Sequence, residues 1–268
     1  MTATEGWPFH KGEREVQDRA GTRARMEVAG PRLIRDQMPD QHRELFDKLP
    51  YLIAGVADAA GQPWATLLAA EPGFVRTTPK EMRIAASPSQ MDPVRQALKP
   101  GAAIGVLGIE LATRRRNRMN GRVRKVGPSG FAIDVIQSFG NCPKFIHLRQ
   151  HERISHNRPV NFLAETVTLS FAAKSLIERS DTFFIATTSG RDPKDCTLGV
   201  DVSHRGGEPG FVCAHETAEG TRLVVSDYAG NGFFNSIRLA ILHWTPARGC
   251  CLSILPKATC FSWPRSPA

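Results

Sequence analysis

The rhythm of apolar and polar positions changes near residue 50. Up to residue 44 the chain is polar and Arg-rich, broken by turn residues at Trp7-Pro8, Gly12, Gly21 and Gly30-Pro31. Spacing predicts helices over Glu13–Ala20 and Pro39–Lys48, the second carrying Leu45, Phe46 and Leu49 on one side. From Tyr51 the pattern is that of strands. A continuous apolar run, Tyr51–Ala57, is followed by a hairpin connection over Asp58–Pro63 and a second run over Trp64–Ala70. Further strands are predicted at Met82–Ala86, Ile104–Leu111, Gly121–Val126 and Phe131–Gln137, with a short helix over Asp92–Leu98. Short successive strands joined by Gly/Pro turns predict a mainly β barrel or sandwich rather than a βαβ sheet.

The pattern then recurs. Glu71-Pro72-Gly73-Phe74-Val75 returns as Glu208-Pro209-Gly210-Phe211-Val212. Upstream, Leu52-Ile53-Ala54 matches Phe184-Ile185-Ala186, and downstream Arg83–Ser87 matches Leu223–Asp227. Three ordered matches, offset by 132 to 140 residues, point to a duplicated β unit. The organisation expected is a polar helical arm (1–44), a first unit (45–148), a linker (149–165), an incomplete second unit (166–237) and a tail (238–268).

The tail is compositionally odd. It holds three of the six cysteines and two of the four tryptophans, and it has no sustained helical or strand period. Its codons, read in another frame, permit a run such as DPRAGLLFIDF, a turn followed by an apolar strand, which is what a β unit calls for there. The expectation is a frameshift near Ile237–Arg238, which the gene's DNA tests directly. The tail also carries much of the charge. The net is +9, but no acidic residue follows Asp227, while Arg238, Arg248, Lys257 and Arg265 do; without these four the net falls to +5. An unremarkable value removes the compositional case for nucleic acid.

The rest of the composition is ordinary. With 268 residues, 41% of them hydrophobic, the chain can build a full core without disulfides. No stretch reaches the ~20 apolar residues of a membrane span, and no leader is visible at the N-terminus. The six cysteines show no metal-ligand or CxxC spacing, so they are expected to be reduced in a cytoplasmic protein. No HxH or HExxH spacing, GxGxxG, GxxxxGK[ST] or GxSxG motif is present, which leaves metal, Rossmann, P-loop and hydrolase-elbow sites without support.

Three segments carry candidate chemistry. In Thr113–Gly121, between two predicted strands, Arg114, Arg116 and Arg118 would share one face and call for an anion. Arg suits bidentate phosphate binding, and no aromatics interleave the run as they would in a single-strand nucleic-acid surface. Gly199–Gly207 and Ser226–Asn235 place Asp201, Ser203, His204, Ser226, Asp227, Asn231 and Asn235 beside glycines, which allow close approach of backbone to a phosphate or a polar ring edge. Gln137–Pro143 is a third polar strand end, in which Cys142 reads as a small buried apolar residue.

These pieces together resemble the pyridoxamine 5′-phosphate oxidase-related, FMN-binding split-barrel proteins. The matching stretches are Trp7–Glu13, Ile34–Pro39, Gly108–Leu111 with the following TRRRNRMNGRV, QSFGNCP, GVDVSHRGGEPGFV and GNGFFNS. The resemblance implies a split β-barrel in two tandem copies that would reproduce, within one chain, the dimer such barrels form, with FMN in the cleft between them. A monomer or a homodimer is then expected. It further implies Arg116, Arg118 and Gln137 of the first copy, and Asp201, Ser203, His204, Ser226, Asp227, Asn231 and Asn235 of the second, as FMN neighbours. The activity implied is that of an FMN-dependent oxidoreductase with a small-molecule redox substrate or electron donor; vitamin B6 oxidation itself is not implied. The rivals are a non-catalytic FMN carrier, an inactive truncated product and, least supported, a nucleic-acid binder using Arg114–Arg118.

Overall fold

The computed structural model describes residues 7–154, 168–190, 195–226, 228, 230–235, 252–255 and 260–262. The N-terminal arm is three helices, α1 (Lys11–Arg19), α2 (Arg23–Leu33) and α3 (Asp40–Lys48). α2 lies where turns were expected at Gly21 and Gly30-Pro31. Gly21 does end α1 with φ +64°, but Pro31 sits in the last turn of α2, where few further backbone bonds are lost.

Seven strands follow: β1 (Tyr51–Ala57), β2 (Pro63–Ala69), β3 (Val75–Thr77), β4 (Glu81–Ile84), β5 (Ala103–Glu110), β6 (Arg115–Gly127) and β7 (Gly130–Gly140), with helix α4 (Pro93–Ala97) between β4 and β5. They form one antiparallel sheet in the order β2-β1-β5-β6-β7-β4-β3. A single apolar cluster draws on α3, α4 and every one of these strands, including Phe46, Leu52, Leu68, Val75, Met82, Ile104, Met119 and Ile133. The sheet therefore curls around its own core, and the mainly β class read from the strand pattern holds.

β1 explains why its sequence runs apolar without alternation: all seven residues are buried. Leu52, Ala54 and Val56 face the first core, while Tyr51 and Ile53 join Leu107, Phe184, Ala186 and Val202 in a second. A strand covered on both faces has no need of a polar side.

The remaining elements are β8 (Glu152–Ile154), α5 (Phe171–Arg179), β9 (Thr182–Thr188), β10 (Val200–Gly206), β11 (Val212–Thr217), β12 (Gly220–Val225), β13 (Leu252–Leu255) and β14 (Cys260–Ser262). The order helix, hairpin, hairpin of α3–β4 occurs again in α5 and β9–β12, and its backbone ties coincide. Gly73 N–H donates to Asp47 O (3.2 Å) and Gly210 N–H to Glu178 O (2.7 Å); their φ angles are +89° and +91°. Ala85 N–H reaches Phe74 O (2.7 Å) as Ser226 N–H reaches Phe211 O (3.1 Å). Both Glu-Pro-Gly segments are thus the same turn, one that needs glycine at its positive φ.

The tail departs from its reading as a segment without strand structure. Leu252–Leu255 pairs antiparallel with β9, as β5 pairs with β1, and Cys260–Ser262 pairs parallel with β8. Four residues are too few to register as a period, yet the open edge of β9 offers a row of backbone groups that any extended segment can pair with. The frameshift point at Ile237–Arg238 lies outside the described residues. At the start of the expected linker, Arg149 is held by the buried Asp181 carboxylate (2.5 Å to Oδ2). No helix among the described residues is long and apolar enough to cross a membrane.

Candidate functional site

The two halves meet where β10 crosses β1, β5 and β6, and glycines permit the approach. A Cβ on Gly105 would lie 2.8 Å from Val200 O and 3.0 Å from Asp201 Cα. At this crossing the side chains of β6 meet those of β10. Arg116, Arg118 and Asn120 alternate along β6 and so share one face. Arg118 Nη1 donates to Asp201 Oδ2 (2.5 Å) and Nη2 to Ser203 Oγ (2.6 Å), while Arg116 Nη1 donates to His204 Nδ1 (2.9 Å). Asn120 Nδ2 lies 3.3 Å from Asp201 Oδ1 and 3.4 Å from Gln137 Oε1, and Gln137 in turn donates to Pro8 O (2.9 Å).

Three expectations about the basic run need correction. The strand begins at Arg115, not at Gly121, because the run Arg115–Asn120 pairs with β5 residue for residue as far as Arg122↔Ala103. Arg114 is the preceding turn residue, with φ +57° and its side chain in solvent, so it does not share the face of Arg116 and Arg118. Nor is the charge of Arg118 left for an external anion, since Asp201 compensates it.

The Arg118–Asp201 pair stands between two cavities. On one side a basic cavity of about 70 Å³ is lined by Arg116, Arg118, Lys144, Arg205 and His204, with Asn141, Cys142, Phe145, Phe211, Ser226, Tyr228 and Asn231. None of the described residues lining it is acidic. Burial first, then the neighbouring Arg118 and Arg205, lower the Arg116 pKa to about 9. His204 is held well below its ordinary range, chiefly by burial and then by Arg116 and Arg205. It is therefore neutral. Because its Nδ1 accepts from Arg116, its proton sits on Nε2. That N–H, together with Arg116 Nε and Arg118 Nε, has no partner among the described residues. These three closed-off donors belong to side chains that line the cavity with other atoms. The stacked rings of Phe145 and Tyr228, with centroids 4.8 Å apart, flank the same space.

On the other side a smaller cavity of about 30 Å³ is lined by Asp201, Gln137 and Asn235, with His10, Glu13 and Asn120. Here sequence reasoning missed two groups. His10 caps α1, its Nδ1 accepting from the Gly12 and Glu13 N–H groups at 3.0 and 3.3 Å. Glu13 Oε2 accepts from His10 N–H (2.9 Å) and Oε1 from Asn235 (2.7 Å). Burial drives Glu13 up to about 8, with Asp201 adding to the rise, and drives His10 down to about 4. The spacing His10-x-x-Glu13 is a capping box with His in place of Ser or Thr, and that signal was available in the sequence.

The residues predicted from sequence thus divide. Arg116, Arg118, His204, Ser226 and Asn231 line the basic cavity; Gln137, Asp201 and Asn235 line the smaller one; Ser203 is buried between, on Arg118. Asp227 lies outside the described residues. Lys144, Phe145 and Tyr228 were not foreseen, and Cys142 is a half-buried wall residue rather than a core one. A wider groove of about 960 Å³ runs beside Trp64, Met91 and Val200, and none of the ten predicted residues lines it.

No family model matches the chain, and no curated protein matches it. Among solved structures, HupZ of Group A Streptococcus aligns over 38% of this chain and 93% of its own, at 13% identity and a TM-score of 0.31. A Lactobacillus delbrueckii protein, provisionally a pyridoxamine 5′-phosphate oxidase, aligns over 39% and 95% at 12% identity and 0.31. An F420 reductase aligns over 37% and 95% at 12% and 0.28. Likenesses this slight carry no weight for the function of this chain.

Proposed function

We propose that the chain is a flavoprotein that holds FMN between its two halves, with the phosphate in the basic cavity, and that it acts as an oxidoreductase on a small-molecule redox substrate or electron donor. The observation that carries this reading is a cavity whose described lining holds four cationic residues and no acidic one. Its volume accommodates on the order of five water-sized positions, which is the heavy-atom count of a phosphate group. The residues fit that group: Arg116 would donate to its oxygens, Lys144 and Arg205 would add charge, and Ser226 and Asn231 would close the side. When bound, FMN supplies hydride or electron transfer.

The protein's own contribution is positioning. Asp201 and Ser203 fix the Arg118 guanidinium, whereas Arg116 pairs with no carboxylate among the described residues and donates instead to His204. Phe145 and Tyr228 offer an apolar surface beside it. The repeated turns and backbone ties of the two halves support a duplicated unit, so that the cleft between copies lies within one chain. Internal engagement of Arg118 with Asp201, and of Arg115 with Gln41 O, argues against a nucleic-acid surface.

The test is the visible spectrum of the purified protein before and after adding FMN and desalting. Flavin bands that persist support the reading, and a folded, colourless, FMN-indifferent protein overturns it. Oxidation of reduced nicotinamide by the loaded protein then separates an enzyme from a carrier.

A further inference from the structure

We propose that Glu13 is a pH-dependent latch on a strap formed by residues 230–235, which stays docked while the carboxyl carries a proton and is released when it ionises. The inference is independent of the flavin reading. The strap reaches from one cavity to the other: Gly230 and Asn231 line the basic cavity, and Asn235 lines the smaller one. The N-terminal arm holds it there. Phe233, 2% exposed, sets its ring against Phe9 and Phe139, with centroids 5.7 and 6.0 Å away, in a small cluster with Met26 and Ile34. Gln17 Nε2 donates to Phe233 O (3.5 Å), and Asn235 Nδ2 donates to Glu13 Oε1 (2.7 Å). No residue of the strap belongs to a helix or strand, so it can leave without breaking a ladder.

The carboxyl beneath Asn235 is poorly placed to carry a charge. Glu13 is 4% exposed and pairs with no lysine or arginine among the described residues. Asp201 of β10 faces it with a second carboxylate, whose charge is already matched by Arg118 of β6. Burial raises the Glu13 pKa and Asp201 adds to the rise; the His10 N–H, the Asn235 amide and Arg118 oppose it, and the balance stands at about 8. His10 is lowered to about 4, chiefly by burial, with Asp195 opposing the fall and Arg14 aiding it, so its ring lends Glu13 no charge near neutrality. With the strap lifted, water reaches the carboxyl and the ordinary value of 4.5 returns. The closed-to-open ratio is therefore unaffected below pH 4.5, falls by up to about tenfold per pH unit above it, and levels off beyond pH 8.

The experiment is limited proteolysis of the full chain by chymotrypsin across a pH series, read by peptide mass mapping. Cleavage after Phe233 and Phe234 is divided by that of a free peptide spanning residues 228–238 at the same pH, which removes the pH dependence of the protease. Cleavage after Tyr51, in the fully buried β1, reports opening of the whole fold. From about pH 6 to 8 the normalised strap rate is expected to rise at least about tenfold and to exceed the Tyr51 rate throughout. Glu13→Gln should hold it flat. Asn235→Asp, on the strap itself, should move the rise to lower pH, because two carboxyls then share one contact. A strap rate independent of pH, or strap and β1 cleaved together at every pH, overturns the proposal. So does a rise that survives Glu13→Gln, or one that Asn235→Asp leaves unmoved.

Discussion

Arg118 of β6 and Asp201 of β10 form an ion pair of 2.5 Å whose side chains are 8% and 7% exposed, and it ties the two halves of the chain together. Ser203 supplies a second acceptor to the same guanidinium. Removing one partner leaves a buried charge without compensation, which typically costs about 3–5 kcal/mol. Asp201→Ala should therefore lower the guanidinium midpoint sharply. Arg118→Met combined with Asp201→Leu should recover much of the loss, because an apolar pair of similar size needs no compensation. Equal destabilisation in the single and double variants would show that the pair is not what couples the halves.

The pH dependence of stability follows from buried groups near the same junction. Glu13 has its folded pKa raised from 4.5 to about 8. Between those values the unfolded chain has lost the proton and the folded chain keeps it, so stability falls as pH rises, and no further loss follows above pH 8. His10 and His42 are lowered from 6.5 to about 4, each mainly by burial. Below 6.5 the unfolded chain takes up protons that the folded one refuses, so their contribution falls as pH drops. From pH 4.5 to 6.5 these two histidines, with His204 lowered in the same direction, outweigh the one carboxyl, and from 6.5 to 8 the carboxyl acts against no histidine. Maximum stability is expected near pH 6.5. Denaturation across pH 5–9 checks this, and Glu13→Gln should flatten the alkaline limb whatever its absolute stability. An unchanged slope between pH 6.5 and 8 in that variant would remove Glu13 as the cause.

Much of the first half was legible because its signals are local. The Tyr51–Ala57 run, the Asp58–Pro63 hairpin and the paired Glu-Pro-Gly turns each announce themselves within a few residues, and the structure has them. Long-range compensation was not legible. Three arginines in alternation looked like an anion site, yet nothing near them in sequence reveals that Asp201, 83 residues from Arg118, would neutralise one of them. Arg114 misled for a different reason: strand alternation holds only within the strand, and the chain turns at that residue with φ +57°. The burial of Glu13 has no sequence signature beyond its capping box, because it depends on Asn235 arriving from the other half.

Arg116 should dominate affinity for a phosphate-bearing ligand. A charge-assisted hydrogen bond is worth about 1.5–3 kcal/mol, so Arg116→Ala should weaken FMN binding by roughly 10- to 100-fold. Asn235→Ala removes a donor to Glu13 on the far side of the ion pair and should change affinity much less. Fluorescence quenching of FMN on titration distinguishes the two variants, and inorganic phosphate should compete with FMN in the wild type. If Asn235→Ala is the more damaging variant, the phosphate does not lie in the basic cavity.

Two glycines set how closely the halves approach, and their substitution should differ in cost. Replacing a strand glycine by alanine ordinarily stabilises by about 0.5–1 kcal/mol, since the unfolded chain loses freedom. At Gly55 the new methyl would meet Val202 Cγ2 at 2.5 Å and Ala186 Cβ at 3.0 Å, both side-chain atoms. At Gly105 it would meet the β10 backbone itself, Val200 O at 2.8 Å and Asp201 Cα at 3.0 Å. Val202 can shift within its core, whereas the β10 backbone can yield only by carrying Asp201 away from Arg118. Gly105→Ala should then destabilise by about 1–3 kcal/mol from overpacking, and by more than Gly55→Ala. The loss should also be smaller when Asp201 has already been replaced, because the two changes act on one contact. Thermal denaturation of the two single variants and of Gly105→Ala in the Asp201→Asn background measures this. Strict additivity there would mean that the approach of β10 and the ion pair are independent.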